Sequence, residues 1–279
     1  LLDHVDAESV PVGIGSLGKT YTAKPHEYDI AGYDRVDPAS LQDGAALIDL
    51  VLQAAPPSGA RVVCISSLRD FADAVERNEE LVLSRVESVV IQGGVELDED
   101  TGTYGSDTSV NNGFDRSAAD AVYSFCLSRA VRLTVVSRHA VPMVPMQLAN
   151  SFALRTQCPV MRYLALAQRL GLEGLWRDLC AGSLPERCTK EWYFKTFCGV
   201  TSEEFHARSL SALSTTANIS LHLNGYVKPY DVCAAMAALP STEALFLKER
   251  TVAVNGVRHA FLMESSQMVH VVAVLELLR

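Results

Sequence analysis

The stretch 88–124 constrains the fold more than any other part of the chain. A short apolar run at 88–91 breaks at Gly93-Gly94, and a long stretch of Asp, Thr, Ser and Asn follows before an amphipathic pattern starts at Asp115. A polar loop of that length after a buried strand belongs at the carboxyl edge of a parallel sheet. Strand ends open a crevice there, and α/β proteins keep their chemistry in the loops around it.

The rest of the sequence repeats the alternation. Strand-like runs fall at 10–14, 61–65, 88–91 and 131–136. Between them, Leu68, Phe71, Ala72 and Val75 lie at i, i+3, i+4 and i+7, one face of a helix. Ser67 with Asp70 predicts a capping box at its start. Asp115 predicts the cap of a second helix, with Ala118, Ala121, Val122 and Phe125 on one face. Strand–helix alternation implies an α/β fold, a mostly parallel sheet flanked by helices. Beyond Pro142 the pattern turns helical, with helices expected over 159–170, 174–180, 190–197 and, after Pro229, 231–238. Residues 251–254, the pair Asn255-Gly256 and residues 258–263 predict a C-terminal β-hairpin. With no repeat and no linker, 1–279 reads as a single domain with a helical insertion. Its opening at Leu1, within what looks like a helix end, reads as N-terminally incomplete.

Composition excludes some partners. Lys and Arg total 24 against 33 Asp and Glu, a formal charge of −9, which argues against a nucleic-acid backbone or an anionic membrane as the main partner. No apolar run approaches the roughly 20 residues that span a bilayer. Seven cysteines form neither a CxxC pair nor a zinc spacing, so they read as buried structural thiols, which favours an intracellular compartment.

Two motifs compete for the chemistry. Gly13-Ile-Gly-Ser-Leu-Gly18-Lys19-Thr20 matches the phosphate-loop pattern GxxxxGK[ST]. That pattern needs a helix directly after it, and Pro25 with an unpatterned sequence stands there instead, so the loop reads as a Gly-rich turn. His139, in Ser-Arg-His-Ala at the end of a strand, has no partner in sequence to mark it as catalytic.

The remaining signals resemble the inosine/uridine-preferring nucleoside N-ribohydrolases. IQGG at 91–94 resembles that family's strand ending in MGG, and SVNNGFDRSAADA at 109–121 resembles its E-x-N-x-x-x-D-P-x-A-A. CISSLRDFADAV at 64–75, VPVGIG at 10–15 and PYDVCAAMAALP at 229–240 resemble further family segments, all in the family's order. The resemblance implies cleavage of N-ribosidic bonds with a catalytic calcium. It places Asp231 and the backbone oxygen of Ile65 on that calcium, and puts Tyr230 where a His assists the leaving base. It puts Thr103, Ser109 and Asn111 on the ribose, with Ser109 replacing a Glu and Thr103 an Asn. The family's DxDxxxDD calcium cluster has no match, and its expected place lies upstream of Leu1. The expectation is therefore a nucleoside hydrolase-like protein with a degraded site, binding a nucleoside-like molecule or a protein assembly partner, with homo-oligomers implied by the family. The competing expectation is an active calcium-dependent N-ribohydrolase completed by an upstream cluster. A P-loop nucleotide-binding protein ranks third.

Overall fold

A computed structural model describes residues 10–16, 37–57, 59–155, 159–245 and 251–263. In chain order the elements begin β1 (Gly13–Ile14), β2 (Gln42–Asp43), α1 (Gly44–Ala54), β3 (Ala60–Cys64), α2 (Arg69–Arg77), α3 (Glu79–Arg85) and β4 (Val86–Gln92). Next come β5 (Val95–Asp98), β6 (Thr103–Ser106), α4 (Val110–Phe114), α5 (Arg116–Ser128) and β7 (Arg132–Val136). Then follow β8 (Val144–Pro145), α6 (Met146–Arg155), α7 (Pro159–Cys180), α8 (Lys190–Phe197) and α9 (Ser202–Ala207). The last are β9 (Tyr226–Val227), α10 (Tyr230–Ala238), β10 (Thr251–Val254) and β11 (Val257–Leu262). The chain divides into two compact units, a helical one built on Met143–Lys228 and a sheet unit built on Val36–Pro142 and Pro229–Arg279.

The sheet unit carries five strands in the order β10-β11-β7-β4-β3. All neighbours run parallel except the β10–β11 pair. Alternation along each strand sends side chains to two layers. Val89, Ile91, Leu133, Val135 and Phe261 pack with Phe71, Val82, Val122 and Phe125 of α2, α3 and α5. Val90, Val136 and Leu262 face the other way, onto Cys233, Ala234, Ala237 and Ala238 of α10. The small residues of α10 let that helix sit close to the sheet. Asn255 (φ 49°) and Gly256 (φ 81°) both hold positive φ, as the tight turn between β10 and β11 requires. Asn255 Nδ2 also donates to Leu127 O at 3.0 Å, tying the hairpin to the end of α5.

Several expectations need correction. The run 10–14 does not join the main sheet: only Gly13 and Ile14 pair, with Gln42 and Asp43. Val10, Val12 and Ile14 are about half exposed, so the run has no buried face to hold it in a core strand. The Ser67–Asp70 capping box is absent. Leu68 occupies the cap position, and Asp70 turns away to accept both the Ser16 N–H at 2.7 Å and the Ser16 hydroxyl at 2.6 Å. Asp115 does cap α5, accepting Ala118 N–H at 3.1 Å, but Ala121 is exposed while Ala119, Tyr123 and Cys126 join the core. The apolar face of α5 is thus wider than the sequence pattern implied.

In the helical unit, 159–170 and 174–180 form one continuous helix, α7. Its glycines are tolerated because Leu172 and Trp176, one turn apart, fix that stretch from the side. Trp176, Tyr193, Phe194 and Phe205 build an aromatic core with edge-to-face and tilted contacts between 5.2 and 6.3 Å. Both polar handles are satisfied: Tyr193 OH donates to Leu172 O and Trp176 Nε1 to Ser214 O. Among the described residues no helix is long and apolar enough to cross a membrane.

Candidate functional site

The carboxyl edge of the main sheet forms around the end of β4. The run Val86–Gln92 is almost wholly buried, and its pairing continues one residue further through Gly93 N–H to Val136 O at 3.2 Å. Gly94 then gathers three donors on its carbonyl: Asp107 N–H, Asn112 Nδ2 and the Tyr123 hydroxyl, at 3.1, 3.0 and 2.9 Å. This crowding explains the paired glycines. A Cβ on Gly94 would overlap the Asp107 carboxylate, and one on Gly93 would meet Asn112 Oδ1 at 3.0 Å.

The expected polar loop is a β-hairpin. Strands β5 and β6 pair from Val95↔Ser106 to Asp98↔Thr103, and Tyr104 anchors them by packing on Phe261 with ring centroids 5.1 Å apart. Asp98 Oδ1 closes the tip by accepting from Thr101 and Asp100 N–H, and the hydrogen bonds from Thr101 above all hold its carboxyl below the usual carboxylate range. Thr103 sits at that tip, bonded to Thr101 Oγ1 at 2.7 Å. It lies at the opposite end of the hairpin from Gly94, so the structure does not bring it to Ser109 and Asn111.

Ser109 and Asn111 do come together. The Asn111-Asn112-Gly113 segment is the body of the short helix α4, with Ser109 at its N-cap. Both amides are buried because both serve the strand end. Asn111 Nδ2 donates to Gln92 O and Oε1, at 3.0 and 2.6 Å, while Asn112 Nδ2 bonds Gly94 O and Asp107 Oδ1. Ser109 Oγ is buried with no hydrogen-bond partner among the described residues. Gln92 and Asn112 hold the same strand end but were not among the residues the sequence pointed to. The doubled amide 111–112 was the signal for Asn112.

Asp231 and Tyr230 reach the same edge from the other face. At the far end of α10, Ala238 O accepts from Arg61 Nη1 at the start of β3, so the helix runs against the strands and its first turn lies at their carboxyl ends. Asp231 lies in the first turn of this helix and not at its cap. Pro229 takes that position, where a missing N–H costs nothing, and its carbonyl accepts from Cys233 N–H. The Asp231 carboxyl is exposed by surface, yet surrounding protein desolvates it enough to raise its pKa. Burial likewise pushes the Tyr230 phenol up, opposed by the nearby charge of Arg138. Ile65 follows β3 directly, with an exposed side chain.

Calcium takes roughly six to eight oxygens, several from carboxylates. Among the described residues no three His, Cys, Asp or Glu side chains cluster to hold a metal. Asp231 with the Ile65 carbonyl is too small a donor set. These residues do not fit the ion. As for the phosphate-loop pattern, Gly18, Lys19 and Thr20 lie outside the described residues. Its Ser16 N–H is bonded to the Asp70 carboxylate, an anion where a phosphate cradle needs open amides.

No protein-family model and no curated protein matches the chain. Solved structures do. The type III effector XopQ, solved with adenosine diphosphate ribose, superposes with a TM-score of 0.76 at 23% identity, over 99% of this chain and 76% of that one. The effector XOO4466 gives 0.67 at 24% identity, over 88% of this chain and 65% of that one. A plant nucleoside hydrolase gives 0.52 at 15% identity, over 92% and 70%. With its mostly parallel sheet flanked by helices, the chain has the nucleoside hydrolase-like fold.

Proposed function

We propose that this protein binds a nucleoside-like ligand at the carboxyl edge of its sheet and does not hydrolyse it efficiently, serving as a binding or assembly component derived from N-ribohydrolases of the inosine/uridine-preferring kind. The observation that carries the reading is that, among the described residues, no group of carboxylates joins Asp231 to hold a cation. Cleaving an N-ribosidic bond builds oxocarbenium character on the sugar and negative charge on the base. A calcium held by several carboxylates would activate the water and grip the diol. The described residues supply neither that ensemble nor, with Ser109 in the place of a Glu, a charged acceptor for the sugar.

Binding is better supported than turnover. Both hydrogens of Asn111 Nδ2 are engaged by Gln92, so the group Asn111 has left for a ligand is its acceptor Oδ1. Asp231 is a second acceptor at the same edge. Acceptors of this kind suit the hydroxyls of a ribose. XopQ, of the same fold, was solved with adenosine diphosphate ribose.

The test pairs calorimetry with adenosine and adenosine diphosphate ribose against a hydrolysis assay on inosine, uridine and p-nitrophenyl riboside, with and without added calcium. Saturable binding without calcium-dependent release of base is expected. Turnover that calcium stimulates and chelator abolishes would instead establish the active N-ribohydrolase.

A further inference from the structure

The helical unit differs in charge from the rest of the chain. Residues 143–228 hold nine Lys and Arg against six Asp and Glu, in a protein whose formal total is −9. Within that unit a cavity of about 610 Å³ opens between α6, α7 and the short 3₁₀ helix Ile219–His222. Its apolar lining comes from Met146, which is buried, and from Ala165, Leu166 and Leu223, which are half-buried. Arg162 and Arg169 border it from α7, and both are exposed. They stand seven residues apart, close to two helical turns, so they share a face with Leu166 between them.

These guanidiniums are far less committed than others in the chain. Arg69 grips the buried Asp115 at 2.8 Å and Asp73 at 3.1 Å. Among the described residues, by contrast, Arg162 enters no hydrogen bond or ion pair. Arg169 has Glu173 at 3.8 Å, beyond hydrogen-bonding reach. A lone exposed arginine is ordinary, but two that frame an apolar cavity are not. The volume falls within the roughly 300–1,000 Å³ of small-molecule sites. A purely polar ligand would leave the apolar lining wet, and a plain hydrocarbon would leave both cations unused. We propose that this cavity binds an amphipathic anion: a small molecule with a hydrocarbon body and a carboxylate head of the fatty-acid type. The body covers Met146, Ala165 and Leu166, and the head pairs with the fork of Arg162. With Glu173 offsetting Arg169, the rim offers close to one positive charge. That matches a singly charged carboxylate better than a doubly charged phosphate.

The cavity is lined by the helical unit alone, so its test stands apart from the nucleoside reading. Laurate, dodecanol and acetate are titrated by calorimetry into the full chain, Arg162→Gln, Arg169→Gln and the double variant. Laurate should bind saturably. Dodecanol, which lacks the charge, and acetate, which lacks the body, should each bind about tenfold more weakly or worse. Raising the salt concentration should weaken laurate and leave dodecanol unchanged. Arg162→Gln should lose about tenfold in laurate affinity, the worth of one charge-assisted bond. Arg169→Gln should lose less, and the double variant should bind laurate no better than dodecanol. Because both arginines are exposed, unchanged melting temperatures are expected and serve as the folding control. Laurate binding that survives in the double variant would overturn the proposal. So would a wild type that takes dodecanol as tightly as laurate, or that takes neither.

Discussion

Replacing Gly94 with Ala tests the structural logic of the site most directly. The new methyl group would overlap the Asp107 carboxylate. That carboxylate cannot swing away freely, because its Oδ1 accepts Ser109 N–H at 2.9 Å and Asn112 Nδ2 at 3.0 Å. Losing one such bond costs about 1.5–3 kcal/mol with a charged acceptor, and overpacking adds about 1–3 kcal/mol. A destabilisation of about 3–5 kcal/mol is therefore expected, which for a unit of this size lowers the melting temperature by roughly 10 °C. Gly105→Ala is the control, since a Cβ there meets nothing within 4 Å. It should shift stability by no more than about 0.5 kcal/mol. Urea and thermal unfolding followed by far-UV circular dichroism read both variants. Adding Asp107→Ala to Gly94→Ala removes the overlap, so the double variant should be more stable than additivity predicts by about 1 kcal/mol or more. If Gly94→Ala behaves like Gly105→Ala, the account of the glycine pair is wrong.

Three further outcomes are expected. Asp115→Asn keeps an acceptor for the α5 cap but leaves Arg69 with only part of its compensation. Because Asp73 still pairs with that arginine, the cost should be about 2 kcal/mol in urea unfolding, below the roughly 3–5 kcal/mol of a buried pair broken outright. His259 is fully buried, its Nδ1 accepts Leu133 N–H, and desolvation depresses its pKa. A depressed folded-state pKa gives stability that is present above about pH 6.5, the ordinary histidine value, and is lost as pH falls through the folded value. His259→Asn, which keeps an acceptor without titrating, should flatten the acid side of a stability–pH curve. Calcium calorimetry should show no site of micromolar strength, because Asp98 is engaged by its own turn and Asp107 by Ser109 and Asn112; a tight site would mean ligands have been overlooked.

The sequence was informative where local pattern and burial coincide. Strands β3, β4 and β7 are legible from short, mainly apolar runs at their centres, and in β4 helices cover both faces of the sheet, as Val89 and Val90 on opposite layers demonstrate. The β10–β11 hairpin was legible from Asn255-Gly256, a pair that only a primed turn uses well. What escaped notice depends on distant partners. Hairpin β5–β6 reads as loop because its strands are four residues each, and its anchor, Tyr104 on Phe261, joins residues far apart in sequence. The run 10–14 shows the opposite error, with apolar letters that acquire no buried face.

The site residues obey the same rule, and it bears on their function. Asn111 could be named from its neighbours in sequence, but its orientation is set by Gln92, the last residue of a strand buried for other reasons. Asn112 is held by Gly94 and Asp107 and contributes nothing outward through Nδ2. Structural demand has therefore absorbed the donors of both amides. What remains for a ligand at this edge is an acceptor on Asn111 and the desolvated carboxyl on Asp231. Two acceptors complement the hydroxyls of a ribose, the group that adenosine and adenosine diphosphate ribose share, so each compound should displace the other from this edge.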